Sequence, residues 1–428
     1  MSPIPQPEVY VEGQQSPEGT PEGVERVRLR SAAAALTSLM ALAATSLVTG
    51  PAVASTMAGP CALPRTSAHH SLGVDTWNAA YPRPARTLNA VMLFVSFPDH
   101  VPVNSPDELA ADHFPATSTF FSRASYGRFS LKADTQHRWL TMPKASTAYG
   151  IRRDWQSEQR GAYLRDAIGA ADASVDFSRY DIVYVVADPD APGVDSDATK
   201  VVNLDQPLQA DGTDIKRVVT VFERHPPDRN VLAHETGHVF DLPDLYHRPT
   251  DGKGDWDTYV GDWDVMGSQF GMSPEFFGWQ KWKLGWLDRK AVRCVTRTER
   301  ITLETISAAP AWGGSLGTRL AVVKTGEDTA LAIEARGSTG NDATTCTEGV
   351  LIYRIQSDSV SGDGPVEVVD THPKTEACWD ESVYPPLADA PLGVGETFTM
   401  PGTPGERTRV EVSDRTRTGA WTVRISTA

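Results

Sequence analysis

The sequence has no excess of basic charge: 40 Lys and Arg stand against 55 Asp and Glu, giving a formal net charge of -15. Such a chain is repelled by nucleic acid and by anionic membrane surfaces, so neither is expected as a partner. It also lacks a glycine fingerprint for nucleotides, a heptad pattern and an internal repeat, which argues against a dinucleotide-binding fold, a coiled coil and a solenoid. Cysteine is scarce, with four in 428 residues. What is present is 40% hydrophobic residues and eleven Trp, enough for a folded core, with 34 Gly and 31 Pro that call for many loops. The length suits two or three domains.

The N-terminus reads differently from the rest. Arg26, Arg28 and Arg30 precede a stretch from Ser31 to Pro64 without a charged side chain, apolar from Ala32 to Val48, and Ala52-Val53-Ala54 has the small-x-small cleavage pattern. This is the layout of a secretory signal, with the cut expected after Ala54. The residues before Val24 are acidic and unlike an n-region, so Val24 is the expected initiator position. The alternative is an uncleaved N-terminal membrane anchor, since about 18 apolar residues can just span a bilayer. Residues 1–54 are thus an extension and signal peptide. Residues 55–88, polar and Pro-rich, read as a tether or short pro-segment. Cys61, Cys294, Cys346 and Cys378 all follow the expected cut, and an even count in a secreted, extracellular chain favours disulfides. Cys346 with Cys378 is the preferred local pair, leaving Cys61 for Cys294; the alternative makes Cys61 an inhibitory thiolate on a metal.

Ala90–Phe97 and Asp181–Val186 are apolar, β-branched runs of the kind buried on both faces of a sheet. Helical stretches are expected at Pro106–Phe114 and Trp155–Ala171, and the alternation of Arg128–Leu140 suits a hairpin. This mixture makes residues 89–290 an α/β (α+β) layer. From Val292 the texture changes to short alternating runs at Arg300–Leu303, Leu320–Lys324, Leu331–Ala335, Val350–Ile355, Val410–Val412 and Trp421–Ile425. Residues 291–428 are therefore expected to form an all-β, sandwich-like domain.

The chemistry is concentrated in VLAHETGHVFDLPDLY, Val231 to Tyr246. On a helix, His234 and His238 are i and i+4, so both imidazoles leave one face and can share a metal ion, with Glu235 beside them. Asp228 or Asn230 can cap this helix and Pro243 can end it. A turn after it can return Asp244 to the metal. Two His and one Asp with an open fourth position have the composition of a catalytic Zn2+ site, and Glu235 can serve as general base for metal-assisted hydrolysis of an amide.

HETGHVFDLPD resembles the HExxHxxGxxD pattern of the immune-inhibitor-A-like M6 metalloproteases, and GDWDVMG (Gly261–Gly267) is similar to that family's Met-turn. Phe97-Pro98-Asp99, Phe121–Gly127, Val175–Asp181, Asp244-Leu245-Tyr246 and Trp279–Trp286 resemble further family blocks in the same order. Ile333–Arg336 and Gly349–Tyr353 resemble the β-rich part that follows. The resemblance implies a zincin, metzincin-like catalytic domain in a secreted zinc endopeptidase acting on protein or peptide substrates, expected to be a monomer. It places Met266 beneath the metal as an apolar floor. The family's turn glycine is Asp241 here, one of the few other residues that tolerate a left-handed backbone. Glu275, on an expected helix Pro274–Leu284, is the alternative third ligand to Asp244.

Tyr246 is a candidate donor to a developing oxyanion, Tyr259 a second, and His247 is expected at the surface. The acidic loop Asp251–Asp264 offers oxygen ligands for Ca2+ without the spacing of an EF-hand. Two rival readings stay open: a catalytically decayed zinc-binding interaction protein, and a narrow-specificity peptidase for short peptides.

Overall fold

The run expected as a doubly buried strand lies within β1 (Thr87–Ser96). Its side chains alternate between two cores, with Ala90, Met92 and Phe94 on one side and Val91, Leu93 and Val95 on the other, as the two-residue period of a strand dictates. The computed structural model of the chain describes residues 57–68, 72–250, 253–310, 316–400 and 407–427. The signal segment, its cleavage site and the alternative start or anchor lie outside the described residues.

β1 is second in a five-stranded sheet with order β2-β1-β3-β5-β4, where β2 is Ser130–Thr141, β3 Ile182–Ala187, β4 Lys200–Ala210 and β5 Thr213–Val221. The first four in that order run parallel, and β4 is antiparallel at the edge. The segment Arg128–Leu140 is not a hairpin but the single long strand β2, paired with β1. Its alternation reports a half-exposed edge strand, a pattern that a hairpin shares. Helices α1 (Pro106–His113), α2 (Ala116–Ala124) and α3 (Ser157–Ala171) cover the sheet, and α1 starts on a capping box formed by Ser105 and Glu108. Two short, fully buried helices follow, α4 (Val231–Val239) and α5 (Gly278–Leu284).

Past residue 290 the described residues are β-rich. β6 (Val292–Cys294), β7 (Glu299–Leu303), β8 (Leu320–Lys324), β9 (Thr329–Arg336), β10 (Gly349–Gln356), β11 (Val366–Val368), β12 (Thr397–Thr399), β13 (Thr408–Arg415) and β14 (Trp421–Thr427) form two sheets, ordered β11-β10-β9-β8-β6 and β12-β13-β14-β7. All six alternating runs fall on these strands. Ala321, Val323, Leu331 and Ile333 of the first sheet share a core with Val410, Val412, Val423 and Ile425 of the second. The opposite face of the first sheet, through Leu320, Val322, Ala332, Leu351 and Tyr353, joins the core that holds Met92, Phe94, Met266 and Trp279. The molecule is a mixed α/β fold with several sheets, and its largest core crosses the change of texture near residue 290.

The described residues of the segment 57–86 are built into this core. Met57, Cys61, Leu63 and Val74 are buried, and the indole N–H groups of Trp279 and Trp286 donate to the carbonyls of Val74 and Pro84, each at 2.7 Å. Both expected cysteine pairs form, Cys61–Cys294 and Cys346–Cys378, so Cys61 is not a free thiolate ligand. Among the described residues, no helix is long and apolar enough to cross a membrane.

Candidate metal centre

The nine residues of α4 are all buried, and its ends differ from the sequence reading. Asn230 occupies the N-cap with φ 63° and makes no side-chain capping bond. The Asp228 carboxylate accepts from Gln269 Nε2 instead of capping the helix. The helix stops at Val239, before Pro243, through a left-handed Asp241 (φ 63°). Asp241 N–H donates to His238 O at 3.3 Å and Leu242 N–H to Gly237 O at 3.2 Å, which is the Schellman arrangement. This is the conformation glycine favours. Asp241 adopts it while its buried carboxylate pairs with Lys283 Nζ at 2.8 Å and accepts from Asn78 N–H at 3.3 Å. Burial pushes the Asp241 carboxyl up to about 6, against the pull of Lys283.

The turn brings Asp244 back to the two histidines. Asp244 Oδ1 lies 3.3 Å from His234 Nε2 and 3.0 Å from His238 Nε2, and the two Nε2 atoms are 3.2 Å apart. His234 Nδ1 meets Val265 O at 2.8 Å and His238 Nδ1 meets Leu242 O at 2.7 Å. A carbonyl only accepts, so each Nδ1 carries a hydrogen, and Nε2 is the atom of each ring that can offer a lone pair to a metal. Three potential ligand atoms thus converge on one point, an arrangement that a metal cation, or a proton on His238, can satisfy. Tetrahedral zinc with bonds of about 2.0–2.1 Å separates its ligand atoms by about 3.3 Å, which fits these spacings. Burial opposes a charge on His238, yet the adjacent Asp244 and Glu235 carboxylates push its pKa up to about 9. Burial likewise opposes the Asp244 charge, and the histidines hold that carboxyl well below its ordinary range.

Glu235 points to the same cleft, 8% exposed, with Oε2 accepting from Val201 N–H of β4 at 2.6 Å. Burial raises its pKa, while the two histidines pull the other way. Gly237, the fourth residue of HETGH, has a packing role. A Cβ there would stand 2.4 Å from Met266 Sδ, so the methionine packs directly against the turn that carries the two histidines. Asp264 fixes that loop by accepting from Met266 N–H at 2.8 Å and Phe277 N–H at 2.7 Å.

The remaining candidates sort by position. Tyr246 lines the cleft, its ring nearly parallel to His234 at 6.3 Å between centroids; its hydroxyl bonds to Asp244, and burial raises its pKa. Tyr259 packs on His247, 4.9 Å between centroids, and His247 is half-exposed as expected. Glu275 is not a ligand to this site. It lies just before α5, Oε1 3.2 Å from Lys281 Nζ and Oε2 accepting from Asn341 at 3.2 Å, in a fully buried charge network with Arg336, Glu334 and Asp342. Among its described residues, the acidic loop gathers no group of carboxylates that could hold calcium. Asp262 accepts from Met272 N–H, Val383 N–H and Ser382, Asp264 serves its own loop, and Asp251 lies outside the described residues. Among the described residues, His234, His238 and Asp244 are the one group able to hold a metal ion.

Two contributors carried no sequence signal of their own. Val201 reaches the site only through strand pairing. Ser361, in the loop from β10 to β11, donates to Asp244 Oδ2 at 3.0 Å. No family model matches the chain, and no curated protein matches it.

Proposed function

We propose that the chain is a secreted zinc endopeptidase of zincin type, with His234, His238 and Asp244 as ligands and Glu235 as general base and acid. The observation that carries this reading is the convergence of three ligand atoms beside a buried carboxylate in a cleft of about 890 Å³. Zinc held there supplies a Lewis acid for a carbonyl oxygen and makes a neighbouring water more acidic. Glu235 takes the proton from water and passes it to the leaving amine; its burial makes it a stronger base than an exposed glutamate. Tyr246, which keeps its phenolic proton, is a donor for the oxyanion once it turns from Asp244.

The substrate class follows from β4. It ends the sheet, Lys200 and Val201 line the cleft, and an extended peptide can pair with such an edge. The two disulfides suit an oxidising compartment.

The test is chelator-sensitive hydrolysis of casein by protein carrying one zinc per chain; stoichiometric zinc without turnover would favour the interaction-protein reading. Metal uptake should also be visible without activity. Zinc at roughly 1,000 times its Kd should stabilise the fold by about 4 kcal/mol, read as a higher Tm that chelation reverses. Near pH 7 the metal-free His238, with a pKa of about 9, holds a proton that zinc must displace. Calorimetry in buffers of different ionisation enthalpy should therefore report about one proton released per zinc, with affinity falling as pH falls. Uptake without proton release would contradict this.

A further inference from the structure

Asp244 presents Oδ1 to the histidines, and its other polar groups meet two residues 117 and 118 positions further along the chain. Asp244 N–H donates to Ser361 Oγ at 2.8 Å, Ser361 O–H donates to Asp244 Oδ2 at 3.0 Å, and Gly362 N–H donates to Asp244 O at 3.1 Å. A hydroxyl has one proton and two lone pairs, so Ser361 can accept and donate at once. The pair of bonds ties the carboxylate to its own backbone and removes the rotation that would carry Oδ1 away from the histidines.

The loop bearing this bracket is itself held. Gln356 N–H donates to Pro365 O at 3.0 Å, closing the loop where β10 meets β11, and Arg248 N–H donates to Gly362 O at 3.0 Å. Gly362 has φ +79°, and a Cβ there would lie 3.4 Å from Arg248 Cβ and 3.9 Å from the Tyr246 ring, so the close approach suits glycine.

We infer that Ser361 is a positioning residue of the metal centre, by which the β-rich part of the chain orients the third ligand. The inference rests on the metal reading proposed above. Ser361 acts through Asp244 and touches neither substrate nor metal. Groups that orient metal ligands typically govern affinity by about 10–100-fold.

The test uses the full chain and three variants, Ser361→Ala, Ser361→Val and Ser361→Thr. Zinc affinity is measured by competition with a chromophoric chelator, and coordination geometry by the visible absorption of bound Co2+. Ser361→Ala and Ser361→Val should bind zinc about 10–100-fold more weakly with an altered cobalt spectrum, while Ser361→Thr, which keeps the hydroxyl, should stay within a few-fold of wild type. Val and Thr differ only in that hydroxyl, so a shared folding defect shows in both and does not mimic the result. Unchanged zinc affinity and an unchanged cobalt spectrum in Ser361→Ala would overturn the inference while leaving the metal reading intact, as would equal losses in the Thr and Val variants. A wild-type chain that takes up neither metal would overturn both.

Discussion

Glu235→Gln should lower peptide hydrolysis by about 10²–10⁴-fold while leaving zinc bound at wild-type stoichiometry. Glutamine has the shape of glutamate and still offers an oxygen to Val201 N–H, so the bond to β4 can persist. It cannot take a proton from water at neutral pH. His234 and His238 keep their carbonyl partners, Val265 and Leu242, and Asp244 keeps Ser361, so the ligand set is untouched. The variant also loses a buried carboxyl whose charged form is disfavoured, so its stability should not suffer. The checks are zinc content and initial rates on casein, measured on one preparation. A variant that retains more than roughly a tenth of wild-type turnover would exclude Glu235 as the base.

Arg336→Met should be the most damaging single change away from the metal, costing about 3–5 kcal/mol. Arg336 is fully buried; it bonds both oxygens of Asp342 at 3.0 Å and Glu334 at 3.2 Å, and donates to the carbonyls of Trp263 and Ser273, each at 2.8 Å. Removing it leaves Glu334, Asp342 and Glu275 together in the interior with Lys281, and frees the backbone that frames Asp264 and Met266. Burial already raises the Glu334 and Glu275 carboxyls, and Arg336 acts against that rise. Without the arginine both should hold their protons to higher pH. A carboxyl with a raised folded-state pKa loses stability as pH rises through that pKa, so the defect should be larger at pH 8 than at pH 5. Urea midpoints at both values check this. A shift below about 1 kcal/mol, or one larger at acid pH, would contradict the account.

What could be read from the sequence was what lies close along it. His234, Glu235, His238 and Asp244 sit within eleven residues, and helical periodicity plus one turn places them. Glu275 is a plausible ligand by type, and only the partners drawn from distant segments, Arg336 and Asn341, account for its burial elsewhere. The same holds for Asp241. Its left-handed backbone could be anticipated from the glycine at that place in the family pattern the segment resembles, whereas its pairing with Lys283, 42 positions away, could not. Ser361 belongs to this class as well, since one serine in a loop has no periodicity to betray it. The hairpin of β4 and β5 does carry a sequence signal. Asp211-Gly212 joins strands that pair Ala210 with Thr213, both turn residues have positive φ, and Asp-Gly is a strong signal for such a turn. The alternation of Arg128–Leu140 fits a hairpin and an edge strand alike, because it records which side faces water, not where the partner strand comes from.

The Cys61–Cys294 bond has a consequence for any maturation event. A protease cutting the backbone between Cys61 and β1 would not liberate the upstream fragment, because the sulfur bridge anchors it beyond α5. Mature protein cut there would be a two-chain molecule, migrating as one species on a non-reducing gel and splitting after reduction. Release of the fragment without reductant would show that the bridge is not made.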